Sequence, residues 1–159
     1  MNSHFIKVMK LTLLLGGVTL LSACDQPLPR GALTFYGECI SDVSSDCMTI
    51  DPLATGQPFV VNREPIVEPR HFADAEVVLD ERYDEVVIFF TLNAEGTARF
   101  GEATAARIGK IIFMLDEGHL ITAPTVREPI ASGRGQIVAE FTEEKANDLV
   151  ARILANSEP

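Results

Sequence analysis

Apolar and polar positions alternate most regularly in the second half of the chain. Glu76-Val77-Val78-Leu79-Asp80 and Glu85-Val86-Val87-Ile88-Phe89-Phe90-Thr91-Leu92 are β-branched and aromatic runs separated by Glu81-Arg82-Tyr83-Asp84, the pattern of a β-hairpin. Asn93 is a good N-cap for a helix running to about Ile108. Thr97, Phe100, Thr104 and Ile108 then lie near one face, and Gly109 sits where a C-terminal cap wants positive φ. Lys110 to Leu115 reads as a short buried strand, Asp116-Glu117-Gly118 as a turn, and His119 to Ala123 as the return strand of a second hairpin. Pro124 ends it, and a loop through Pro129 and Gly133-Arg134-Gly135 leads to a further strand over 136–141. Thr142 caps a last helix with Glu143 and Glu144 in its positive first turn. Ala146, Leu149, Val150, Ile153 and Leu154 form an i, i+3, i+4, i+7, i+8 stripe there, so one face of this helix is buried. The order β, β, α, β, β, β, α predicts an α+β sandwich with both helices on one face of a mainly antiparallel sheet.

Before residue 74 the periodicity fails. Pro27, Pro29, Pro52, Pro58, Pro65 and Pro69 interrupt residues 25–73, which read as a linker with local structure. Leu33 to Tyr36 and Phe59 to Val61 are its two short strand candidates. A fully flexible linker of this length would reach about 40 Å. Cys39 and Cys47 lie in this segment, and a disulfide is their natural reading, with two free thiols as the alternative. Closing so short a loop stabilises by about 2.5 kcal/mol in the chain-entropy picture. A two-thiol metal site fits poorly, because no neighbouring His supplies ligands and the spacing is not C-x-x-C.

At the N-terminus, Lys7 and Lys10 precede the apolar run Leu11 to Leu21 and the small residues Ser22 and Ala23. That run is shorter than the roughly 20 residues of a membrane-spanning helix. Leu21-Ser22-Ala23-Cys24 resembles the lipobox of bacterial lipoprotein precursors, in which the Cys thiol is acylated before cleavage on its amino side. The resemblance implies removal of residues 1–23 and a lipid anchor of palmitate-type chains on Cys24, multiple chains holding a protein stably where one does not. An ordinary secretory signal cleaved near Ala23, or an uncleaved short anchor, is the alternative. Asp25 and Gln26 look like the pair that retains such lipoproteins at the inner membrane, facing the periplasm.

The organisation expected is therefore a signal segment over 1–23, the lipidated Cys24 with a Pro-rich linker over 24–73, and one folded domain over 74–157. The net charge of −10 becomes about −12 once the signal segment, with two lysines and no acid, is removed. Phosphate backbones and anionic headgroups repel such a surface, so nucleic acid is not an expected partner and the membrane is reached through lipid alone.

No catalytic constellation stands out. His71 and His119, the histidines beyond the signal segment, are far apart and read as structural or solvent-facing, and there is no His-x-x-x-His or nucleophile elbow. Asp74, Glu76, Asp80, Glu81, Asp84 and Glu85 do not follow the order of a calcium loop. Gly133-Arg134-Gly135 precedes a strand, whereas a phosphate cradle precedes a helix. No metal, cofactor or enzymatic role is expected.

A resemblance runs through the regular half. Asn93-Ala94-Glu95-Gly96 with Phe100 and Thr104, Met114-Leu115-Asp116, Ala123-Pro124, Glu128-Pro129-Ile130, Gly133, Gly135-Gln136-Ile137 and Phe141-Thr142-Glu143-Glu144-Lys145-Ala146 with Leu149 resemble the head of the first periplasmic domain of SecD, the Sec-translocon accessory subunit. Ala139 stands where that family usually has Gly, and no transmembrane segment carries the Asp and Arg that couple proton flow to export. The resemblance implies a ferredoxin-like head that is non-catalytic and contacts emerging polypeptide, here tethered by lipid. Applied to this chain, it points to polypeptide binding, or contact with Sec translocon components, near the loop from Pro124 to Gly135, with Arg127 and Arg134 as cationic points and Pro124 and Pro129 shaping the path. A scaffold lipoprotein that docks one folded envelope partner is the other reading, since a fold does not fix a function.

Overall fold

The computed structural model describes residues 32–41, 43–51, 58–81 and 83–157, and the targeting segment, Cys24 and Asp25 lie outside them. Strands β1 (Thr34–Gly37), β2 (Cys47–Ile50), β3 (Phe59–Asn62), β4 (Phe72–Asp80) and β5 (Glu85–Leu92) precede helix α1 (Ala94–Ala105). Strands β6 (Ile112–Asp116), β7 (His119–Thr122) and β8 (Arg134–Val138) follow, and helix α2 (Glu143–Asn156) comes last. All pairings are antiparallel, in sheets ordered β1-β6-β7, β2-β3 and β4-β5-β8.

The fold is α+β, and its helices cover one face of the β4-β5-β8 sheet. Val77 and Ile137 lie opposite Ile88, and Ala75 and Gly135 opposite Phe90. Residues two apart on a strand share a face, so Ile88, Phe90 and Leu92 line up beneath the helices. Phe100 of α1 and Ala146, Leu149 and Ile153 of α2 close the core over them. Full burial of a residue such as Leu149 or Ile153 contributes about 2 kcal/mol. Both helices begin where a side chain takes up an orphan backbone N–H. Asn93 Oδ1 accepts from Gly96 N at 2.9 Å, and Thr142 Oγ1 accepts from Lys145 N at 3.3 Å.

The segment read as a linker is, from Ala32 to Phe72, part of the packed structure over its described residues. Strand β1 pairs with β6, setting Thr34 opposite Leu115 and Gly37 opposite Ile112. Phe35 is fully buried among Phe72, Phe90 and Phe100, with ring centroids 5.5–6.0 Å apart. Leu33, Ile66 and Val67 join the same core. The prolines misled because each stretch is too short to show a period, and its partners lie far away in sequence. Tyr36 looks the other way, into a smaller core with Ile50, Val61, Phe113 and Leu115. The Cys39–Cys47 disulfide, with Cα atoms 5.8 Å apart, ties the chain after β1 to the start of β2.

Three boundaries differ from the periodic reading. Helix α1 stops at Ala105 and Ile108 is 58 % exposed, because the next residues turn to meet the 124–126 segment. Gly109, at φ +80°, donates to Val126 O at 2.8 Å, and Lys110 O accepts from Val126 N at 2.8 Å. Strand β8 runs 134–138 instead of 136–141, ending where Phe141 N bonds back to Ala139 O. In α2 the stripe is narrower than expected: Ala146, Leu149 and Ile153 are buried, Val150 half-buried and Leu154 exposed.

Candidate functional site

The loop from Pro124 to Gly133 is clamped to the scaffold along its length. Pro124 O accepts from Ile112 N at 3.0 Å, and Val126 is buried beside the end of α1. Midway, Ile130 N donates to the hydroxyl of Thr104 at 2.9 Å, and that hydroxyl donates to Phe100 O at 2.8 Å. At its end Gly133 O accepts from Leu92 N at 2.7 Å. Gly133 has φ +67°, and a Cβ there would collide with the Thr97 side chain, so both conformation and space call for glycine.

Pro124, Arg127, Pro129 and Arg134 are all exposed on this frame. They do not converge. Arg127 follows Val126, which pairs with the turn after α1, whereas Arg134 opens β8 opposite Thr91, next to the start of α1. The twelve residues of α1 separate those two ends by about 18 Å. The loop therefore presents a fixed ridge with a cation near each end rather than a pocket.

Among the described residues, the two histidines are a buried structural residue and a surface residue. His71 is fully buried, its Nδ1 accepts from Glu68 N at 3.0 Å, and its Nε2 lies 3.2 Å from Glu95 Oε1. His119 is exposed at the start of β7. Among the described residues, no three His, Cys, Asp or Glu side chains come together as a metal site, and no helix is long and apolar enough to cross a membrane.

Two polar clusters were not readable in the sequence. Arg107 is buried after α1 and joins the helix to β3 through Asn62 Oδ1, at 2.6 Å, and Ala103 O, at 3.3 Å. Burial lowers its pKa. The second cluster lies in an open cleft of about 590 Å³ lined by Leu120, Ile121, Phe141, Leu149, Asp116 and Arg152. Arg152 bridges Asp116 at 2.5 Å and Asp148 at 2.6 Å. Burial pushes the Asp116 carboxyl above its ordinary range in spite of that guanidinium. Neither cluster sets a nucleophile beside a base. Both fasten helices to strands.

The chain matches the family model of the SecDF P1 head subdomain over residues 45–157. Among curated relatives, it is 32 % identical over 102 residues to the protein translocase subunit SecD of Desulfurispirillum indicum, covering 64 % of this chain and 20 % of that one. It is 39 % identical over 90 residues to SecD of Treponema pallidum, covering 57 % and 15 %. SecD of Calditerrivibrio nitroreducens is 26 % identical over 132 residues, covering 83 % and 24 %. The chain thus spans a quarter or less of each of these relatives. Among solved structures, a membrane component SecDF that enhances protein export superposes with a TM-score of 0.61 at 21 % identity, over 81 % of this chain and 64 % of that chain. SecDF in its super-membrane-facing form gives 0.59 at 22 % identity, over 81 % and 19 %. With the family's model matched across both helices and the sheet beneath them, the chain belongs to the SecDF P1 head subdomain family.

Proposed function

We propose that the chain is a non-catalytic envelope lipoprotein whose head domain binds polypeptide during protein export or envelope quality control. The observation that carries this reading is the match to the SecDF P1 head over residues 45–157. The lipobox-like Leu21-Ser22-Ala23-Cys24 supports acylation at Cys24, and Asp25 supports retention at the inner membrane, facing the periplasm. Sec translocon components and emerging precursors are the expected neighbours of the head domain. The test is photo-crosslinking in cells from Arg127 and from Arg134, with the anchor intact. Capture of translocon subunits or of many precursors supports export, and labelling confined to unrelated cytosolic proteins overturns it.

One observation favours a second reading. The clamped loop, bonded at Pro124, Ile130 and Gly133, has the fixed shape that suits one folded partner. In that case the chain is a scaffold lipoprotein, and a single dominant crosslinked envelope protein replaces the broad set.

A further inference from the structure

The β4-β5-β8 sheet keeps apolar side chains on the face turned away from the helices. Register sets Val78, Val87 and Val138 in one row across the three strands, and Glu76, Phe89 and Gln136 in the next row on the same face. Val78, Phe89 and Val138 are 37 %, 40 % and 42 % exposed, around a Val87 that is itself buried. Isolated surface valines are ordinary, but side chains adjacent in register across three strands make a continuous patch. Strand β5 is therefore apolar on both faces, and only one of them is covered by helices.

The surroundings of the patch are acidic. By strand alternation Asp74 and Glu76 of β4 and Glu85 of β5 share its face, with Arg134 as the one cation contributed by these three strands. Glu76 and Glu85 have no ion-pair partner among the described residues. A second copy would bring the same acids onto these acids, and anionic headgroups would be repelled as well. A chain carrying both apolar and cationic side chains meets neither obstacle.

Building on the polypeptide-binding reading above, the geometry points to this outer sheet face as the docking surface for a segment of unfolded polypeptide in which apolar residues are interspersed with lysine or arginine. The apolar side chains rest on Phe89 and the Val78-Val87-Val138 row. The cations meet Glu76, Glu85 and Asp74. Specificity comes from charge and grip from the apolar row, so affinity falls with salt without vanishing.

The test uses the purified full chain and two labelled unstructured peptides of equal length and equal apolar content, one carrying lysines and one glutamates, followed by fluorescence anisotropy. The lysine peptide is expected to bind about tenfold or more tighter than the glutamate peptide. Phe89→Ser and Glu76→Lys are each expected to weaken it about tenfold while the circular dichroism spectrum stays unchanged. Leu154→Ser, which removes an exposed apolar residue of α2, leaves binding as it was. Equal affinity for the two peptides overturns the inference, as does lysine-peptide binding indifferent to both sheet substitutions. In those cases polypeptide binding survives on another surface. No binding of either peptide, or of any unfolded protein, removes the broader reading too. Concentration-dependent dimers abolished by Phe89→Ser would assign the face to a second copy and overturn the inference.

Discussion

The Nε2 of His71 lies 3.2 Å from Glu95 Oε1, joining the turn before β4 to the first turn of α1. Because Nδ1 accepts from Glu68 N, the neutral ring carries its proton on Nε2 and donates it to the carboxylate. Glu95 also meets Arg70 Nη1 at 3.1 Å from both oxygens. His71→Ala leaves the Glu68 N–H without its acceptor and a hole beside Gly96. It is expected to cost about 2–4 kcal/mol, read as a lower urea midpoint at unchanged slope.

The same pair sets part of the acid limb. The His71 hydrogen bond, aided by Arg70, holds the Glu95 carboxyl below its ordinary value of 4.5. Lys110 and Ile111 N do the same for Glu38. A carboxyl depressed in the folded state binds fewer protons there than in the unfolded chain. Its contribution is therefore complete above the ordinary value and is lost as pH falls through the lower folded value. Glu38→Gln and Glu95→Gln should each flatten the loss of stability below pH 4.5, measured as thermal midpoints from pH 6 to 3. Asp116 runs the other way. Its raised pKa means that the folded state gains relative stability as its carboxyl takes up a proton, so Asp116→Asn should steepen the acid limb.

Thr104 bonds the middle of the loop to the helix. Thr104→Val keeps the shape of the side chain but leaves Ile130 N without an acceptor, at a cost of about 1–2 kcal/mol. Amide exchange at Ile130 should speed up in Thr104→Val and return to normal in Thr104→Ser. Unchanged exchange in the valine variant would mean that the loop is held by its ends alone.

Much of this was legible because it is local. Asn93 and Thr142 announce helix starts through the backbone N–H groups they cap, and the β4-β5 hairpin announces itself by composition, whereas Gly109 has the expected positive φ but lies past the end of α1. The core role of Phe35 was not legible, since its partners Phe72, Phe90 and Phe100 come from three later elements and no short window contains them. Ile108 was misplaced for the same reason: Val126, far along the chain, decides where α1 stops. The exposure of Arg127 and Arg134 could be read from the loop's polarity, but not their separation along α1. The outer sheet face did leave a trace, in the doubly apolar run Val86-Val87-Ile88-Phe89-Phe90, which alternation toward a single core does not require.

Reduction of Cys39–Cys47 tests whether the two cores unfold as one unit. The disulfide spans eight positions beside the smaller core of Tyr36, Ile50, Val61, Phe113 and Leu115. Among the described residues, the larger core, with both helices, contains no disulfide of its own. Reduction, or Cys39→Ser with Cys47→Ser, should cost about 2.5 kcal/mol if the small core unfolds together with the rest. If the small core is a separate unit, the loss is confined to it. Amide exchange then rises in β2 and β3 while Ile88, Leu149 and Ile153 keep their protection. Strand β1 argues for the first outcome, because Phe35 is buried in one core and Tyr36 in the other, so fraying the small core pulls on the large one. A single urea transition, lowered alike for probes in both regions, is therefore the expected result. Two transitions on reduction would show that β1 does not couple them.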